Sequence, residues 1–249
     1  NTNEPYRGYK LSVLRGIVDD IGIIEEIKFD TARIHDLALS EDMIMNTSCF
    51  HDGDILIMDR GFLSRDLMNY LKTKRNVDTY IPLRKNMEAY DMAVKVAIRN
   101  NEWNAHPNKK RDKQQIAFVT DLKDYWISSN KSKDVDFNAC VVWDKETDKY
   151  SVFITTDLSK SAREIVLTYE LRPEIEEDFR QLKDFWKLED FKSTKENFIT
   201  FHIVCTLIGY LFFQLYRIFD GEGKQYIGKS LPCLVKNHKK KILNYYVVY

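Results

Sequence analysis

With 249 residues, 44% of them hydrophobic and 13% aromatic, the chain can bury a core of its own, which excludes a disordered tail. Lysine plus arginine and aspartate plus glutamate number 38 each, so net charge points to no partner; nucleic-acid binding stays open because it rests on local patches. Four cysteines, Cys49, Cys140, Cys205 and Cys233, lie far apart without a CxxC pair, which argues against a zinc site or disulfide scaffold and for a reducing, cytoplasmic compartment.

No secretory signal is visible at the N-terminus, and Asn1 in place of Met leads to the expectation that the chain begins inside a longer gene product. Residues 8–20 alternate early, with Tyr9, Leu11 and Val13 on one face, and read as a strand. Asp20-Ile21-Gly22 suits a turn, and residues 23–31 read as the returning strand. Residues 36–46 read as a short helix with Asp36 as N-cap. DILIMD (54–59) is a short apolar run, as expected of a strand buried on both faces. Residues 63–74 read as helix and 78–83 as the next strand, so hairpin, helix and strand together predict a mixed α/β sheet.

From about residue 100 the chain changes character. Residues 100–115 form a polar, basic loop, and IAFVT, FNACVVW and YSVFITT read as strands, the last two joined by the polar turn DKETDK. Residues 161–171 return to helix, with Ser161 and Glu164 fitting a capping box. FITFHIVCTLIGYLFFQLY (198–216) holds no Asp, Glu, Lys or Arg and has the length of a membrane span; Thr200, His202, Thr206 and Gln214 dilute it, and a helix buried in a large core is the preferred reading. The closing run 236–241 is basic and solvated.

Two segments carry candidate chemistry. In YELRPEIEEDFRQLK (169–183), Tyr169, Arg172, Glu176 and Lys183 fall within an arc of roughly 60° on a helix. Pro173 disfavours helix at Arg172, so two helices meeting near Pro173 is the better picture, with Pro173 in the first turn of the second. Spacing alone favours a solvated, ion-paired face in which Glu176 and Arg180 form an i,i+4 pair. The second segment is DRGF (59–62), which puts Asp59 at the carboxyl end of a strand, where open α/β sheets place their sites. Alone, it reads better as a strand-ending turn with Asp59 and Gly61 chosen for turn geometry.

Together the two segments resemble one family. The Y-x2-R-x3-E-x6-K spacing, complete in Tyr169, Arg172, Glu176 and Lys183, is similar to the signature of bacterial and archaeal insertion-sequence transposases of the DDE type. DRGF resembles the segment carrying that family's second catalytic aspartate, and RGYKLSVL and TARIHD resemble the segments before it. The β-rich stretch between Asp59 and Glu176 and ITTDL ahead of the signature helix match too, so the likeness spans residues 7–216.

The resemblance implies an RNase H-like α/β fold: a mixed sheet flanked by helices, one domain over residues 1–249, with a β-rich insertion at about 100–157. It implies carboxylates that bind two divalent ions, Mg²⁺ or Mn²⁺, with Asp59 the second and Glu176 the third, because such ions clamp the attacking and leaving oxygens of phosphodiester transfer. Tyr169, Arg172 and Lys183 would hold DNA phosphates. The partners implied are transposon-end and target DNA and a second copy in the DNA complex, without a membrane, at a nucleoid-associated location.

The sequence departs from the pattern at its start. Only NTNEPY precedes Arg7, Glu4 is the sole acid there, and Asp19 and Asp20 lie past the next strand, so the first strand and first catalytic aspartate are expected to be missing. Pro173 also stands where many members carry an aromatic residue. A catalytically inactive, truncated DNA-binding remnant is therefore the alternative to an active transposase. Trp126 and Trp143 are candidates for stacking on a flipped base, with core aromatics the preferred reading. NKKRDK (108–113) suits a solvated loop or a phosphate-binding arm equally; His35 reads as structural, with no second histidine at metal-ligand spacing, and His51, His106, His202 and His238 carry no assignment.

Overall fold

The computed structural model describes residues 8–18, 21–31, 34 and 36–219. The expectations for Glu4, Asp19 and Asp20, His35, the capping side chain of Asp36, Cys233, His238 and the run 236–241 lie outside the described residues. The chain divides into two compact units: Asn1–Ser12 with Ile27–Arg172, and Val13–Glu26 with Pro173–Tyr249.

Strands β1 (Tyr9–Val18) and β2 (Ile21–Thr31) form a two-stranded sheet. Ile21 and Gly22, expected in the turn, already belong to β2. In the first unit the base of this hairpin is tied to α1 (Asp36–Asn46): Ser12 and Ser40 hydroxyls meet at 2.8 Å, and Lys28 pairs with Asp42.

The main sheet has the order β3-β4-β8-β7-β6-β5, formed by Ile55–Ile57, Asp78–Pro82, Lys149–Thr155, Asn138–Asp144, Gln114–Val119 and Asn104–Ala105. β3 pairs parallel with β4, and every later pairing is antiparallel, so the sheet is mixed as expected. The β-rich stretch does not form a sheet of its own; β8 pairs with β4 and carries β7, β6 and β5 onto the same surface. The expectation that β3 is buried on both faces fails: Leu56 is buried but Ile55 is exposed, because β3 is an edge strand of this sheet.

Alternation sorts the sheet into two covered faces. Tyr80, Ile116, Cys140 and Val142 share one face with Phe153 and pack against Ile165 and Val166 of α4 (Ala162–Tyr169). The opposite parity, including Ile81, Ala139, Val141, Val152 and Ile154, is buried as well, and α3 (Glu88–Asn100) lies along β6, β7 and β8. Sequence reading left α3 unassigned. Its Ala89, Ala93 and Ala97 are buried at four-residue spacing, so its sheet-facing stripe is small rather than strongly apolar and allows close approach. The capping box forms: Ser161 Oγ accepts from Glu164 N, and Glu164 Oε2 accepts from Ser161 N at 3.0 Å. The DKETDK turn forms around Asp144, whose Oδ1 accepts from Glu146 N and Thr147 N at 3.1 and 2.9 Å.

The helix expected over 63–74 is α2 (Arg65–Tyr70), capped by Ser64 and continued by one wider π turn through Arg75. Arg65 is buried against the rings of Trp126 and Phe137, and Asn69 reaches Asp134 at 2.8 Å. Trp126 is thus held in the packing of the first unit, while Trp143 stacks on Tyr150 and donates to Asp148 at 2.9 Å.

The second unit holds α5 (Pro173–Asp184), α6 (Glu196–Phe219) and the inner halves of β1 and β2. At its centre Asp178 pairs with Arg15 and accepts from Tyr210 Oη at 2.7 Å, and Gln214 accepts from Ile24 N at 3.3 Å. Trp186 lies against Tyr210 and Phe213, over Gly209; a Cβ on Gly209 would meet the indole at 3.0 Å, so this crossing depends on a glycine. The expectation of a helix buried in a large core holds for one face of α6 only. Ile203, Leu207, Tyr210 and Phe213 are buried, but Phe198, Phe201, Ile208 and Phe212 face outward, because the described elements of this unit cover one side of α6 only.

Candidate active site

The first unit brings one acid and one cation of the two sequence segments together. Met58 N donates to Tyr80 O at 2.9 Å, carrying the β3–β4 pairing to the start of the turn. Asp59 then caps the short 3₁₀ turn Arg60–Phe62, its Oδ1 accepting from Arg60 N at 2.8 Å. From the end of β4, Arg84 donates to Arg60 O through Nε and Nη2 at 3.2 and 3.1 Å and clamps the turn. No sequence signal marked Arg84, since a lone arginine after a strand carries no pattern. Gly61 has no positive φ and a Cβ there would meet open space, so the turn does not need glycine for its conformation.

The second segment reaches this turn from the end of α4. Tyr169, the last residue of α4, rests on Phe153 of β8 with ring centroids 4.7 Å apart. Arg172 N donates to Tyr169 O at 3.0 Å, closing one turn, and α5 then begins at Pro173 as the proline required. That turn aims the Arg172 guanidinium at Asp59: Nη2 lies 3.2 Å from Oδ2, with the side chains 26% and 43% exposed. Next to it Glu170 is held by Arg111 at 2.7 Å and Asn108 at 2.9 Å. Arg111 of the basic loop is therefore an anchor to α4, while Lys109 and Lys110 point to solvent. Burial lowers the His106 pKa, partly opposed by Glu170.

Glu176 and Lys183 belong to the second unit. They lie seven residues apart on the exposed face of α5, opposite buried Asp178, Gln181 and Leu182. Arg180 forks onto Glu177 and also reaches Asp184, so the i,i+4 pairing with Glu176 that sequence spacing allows is not the one described. Lys183 meets Glu189 at 2.7 Å, both about half exposed, an ion pair of little weight in water.

The carboxylate oxygens of Asp59 are hard donors suited to Mg²⁺ or Mn²⁺. One of them is held by Arg60 N and the other faces Arg172. Among the described residues no group of three or more His, Cys, Asp or Glu side chains is gathered to hold a metal ion.

No curated protein and no solved structure matches the chain. The family model described as transposase DDE domain matches residues 2–212. Proteins of this kind act on DNA and generally use a divalent metal, and the mixed six-stranded sheet flanked by helices is consistent with their RNase H-like domain. A match over most of the length, on a fold of that type, shows that the chain belongs to the transposase DDE domain family.

Proposed function

We propose that residues 1–249 act as one catalytic region of an insertion-sequence transposase, which cuts DNA strands and joins the freed ends to a target. The observation that carries this reading is the Arg172–Asp59 pair at 3.2 Å, which joins the DRGF turn to the first half of the Tyr169–Lys183 segment. In this reading Asp59 and Glu176 are two of the metal ligands, and the bound ions supply charge stabilisation at the attacking and leaving oxygens. Arg172 holds a DNA phosphate by its planar fork, Lys183 by a point charge, and Tyr169, braced on Phe153, through its hydroxyl. Lys109 and Lys110, exposed in the basic loop, hold further phosphates by their point charges.

A second reading has an observation in its favour. Asp59 is occupied by a backbone N–H and a guanidinium, and the described residues gather no three-acid cluster, as suits a DNA-binding remnant that does not cleave. In this second reading two acids hold a metal pair poorly, and the chain binds end DNA and leaves it uncut. Incubation with labelled end DNA and Mg²⁺ or Mn²⁺ tests both readings. Cleavage lost in Asp59→Asn and Glu176→Gln supports the active enzyme; binding without cleavage supports the remnant; absence of DNA binding refutes both.

A further inference from the structure

Both carboxylate oxygens of Asp59 are engaged: Oδ1 accepts from Arg60 N at 2.8 Å, and Oδ2 faces Arg172 Nη2 at 3.2 Å. The two sides of the Arg172–Asp59 contact differ in freedom. The Asp59 turn is fixed on three sides, by Met58 N on Tyr80 O, by Phe62 N on Asp59 O at 2.9 Å, and by Arg84 on Arg60 O. The Arg172 backbone is fixed as well, its N donating to Tyr169 O at 3.0 Å just before Pro173 opens α5. What can move is the guanidinium, which ends a long side chain that solvent reaches. Glu170, two residues away, has its charge met by Arg111 and its second oxygen by Asn108.

We propose that Arg172 is an exchangeable counter-ion: it covers Asp59 in the free chain and passes to a DNA backbone phosphate when a duplex binds, so the acid is uncovered only when DNA is present. The inference rests on the phosphate role given to Arg172 above. Asp59 divides its oxygens between Arg60 N and Arg172, whereas a phosphate offers a guanidinium two oxygens in the bidentate geometry that suits its planar fork. The pair is open to water on both sides, and an exposed pair shifts an equilibrium by no more than about fivefold, so it is weak enough to give way. It need not be replaced by a backbone movement, since rotation of one side chain transfers the charge. In the free chain the guanidinium neutralises an oxygen that is a hard donor suited to Mg²⁺ or Mn²⁺, and the transfer releases that oxygen as the substrate arrives.

The exchange has a consequence that needs no metal. Leaving Asp59 costs the wild type part of its DNA affinity, and a chain without that acid escapes the cost, provided that Arg172 is there to be released. The test is a double-mutant cycle on the full chain, read by the anisotropy of a fluorescein-labelled DNA duplex in the presence of a metal chelator. Asp59→Asn is expected to tighten duplex binding about fivefold where Arg172 is present and less than about twofold in Arg172→Ala. Lys74, exposed beside the start of β4 and so at the opposite end of the β3–β4 pair from Asp59, supplies the control: in Lys74→Ala the gain from Asp59→Asn is expected to keep its full size. Melting temperatures check that each variant is folded; asparagine keeps a side-chain oxygen for Arg60 N, and Arg172→Gln takes the place of Arg172→Ala if the alanine variant is unstable. Equal gains with and without Arg172 overturn the exchange and leave the DNA reading standing. A gain that shrinks as much in Lys74→Ala as in Arg172→Ala also overturns it, by reducing the effect to overall charge. Failure of the wild type to bind the duplex refutes the DNA reading itself, and the exchange with it.

Discussion

Removal of the Asp178 carboxylate should unfold the second unit before any other single change on α5. Asp178 and Arg15 are 12% and 10% exposed, and the same carboxylate accepts from Tyr210 Oη at 2.7 Å. Asp178→Ala removes a buried carboxylate that pairs with the Arg15 guanidinium, and breaking a buried pair costs about 3–5 kcal/mol. The Tyr210 hydroxyl keeps a weaker partner in Gln181 at 3.3 Å, so its loss adds little. Against a total stability of about 5–15 kcal/mol, that leaves the unit marginal or unfolded. Asp178→Asn keeps an acceptor and loses only the charge, so about 1–3 kcal/mol is expected. Arg15→Met combined with Asp178→Leu should recover more than half of the alanine loss, because a buried pair replaced by apolar side chains is often neutral. Urea unfolding followed by tryptophan fluorescence reads this directly, since Trp186 lies 5.8 Å from Tyr210, edge to face. An alanine variant within about 1 kcal/mol of the wild type, at an unchanged urea slope, would refute the reasoning, because a truly buried pair cannot lose one member so lightly.

Arg172→Ala and Lys183→Ala should each cost less than about 1 kcal/mol, their ion pairs being exposed, yet each should reduce the salt slope of DNA binding by about 1. Lowered melting temperature at unchanged slope would instead make the segment an ion-paired helix face. The folded His106 pKa is lowered by burial, so the unfolded chain takes up that proton first; stability is full above pH ~6.5 and should fall as pH drops below it. Melting curves between pH 7.5 and 5 should lose that slope in His106→Gln. Gly61→Ala should leave the melting temperature within a degree or so of the wild type, since its Cβ meets open space, while weakening any DNA phosphate approach to the Asp59 turn. Gly209→Ala should destabilise by about 1–3 kcal/mol, because the new methyl meets Trp186 at 3.0 Å.

Sequence alone determined what local chemistry can decide. Ser161 and Glu164 start α4 because a capping box satisfies its end within four residues, Pro173 opens α5 because it cannot sit inside a helix, and Asp144 shapes its turn with the next three residues. Family membership likewise lies in the sequence, since the family model matches residues 2–212 along the chain. What required tertiary structure was everything set by partners distant in sequence. That Ile55 is exposed follows from the edge position of β3, that Arg180 chooses Glu177 follows from rotamer and packing, and that Arg172 lands on Asp59 follows from Phe153 bracing the end of α4. Helix α6 makes the division plain: its apolar length is a property of the sequence, but which stripe is covered depends on Asp178, Trp186 and the β-hairpin, because burial is a relation between surfaces and no periodicity within one segment contains it.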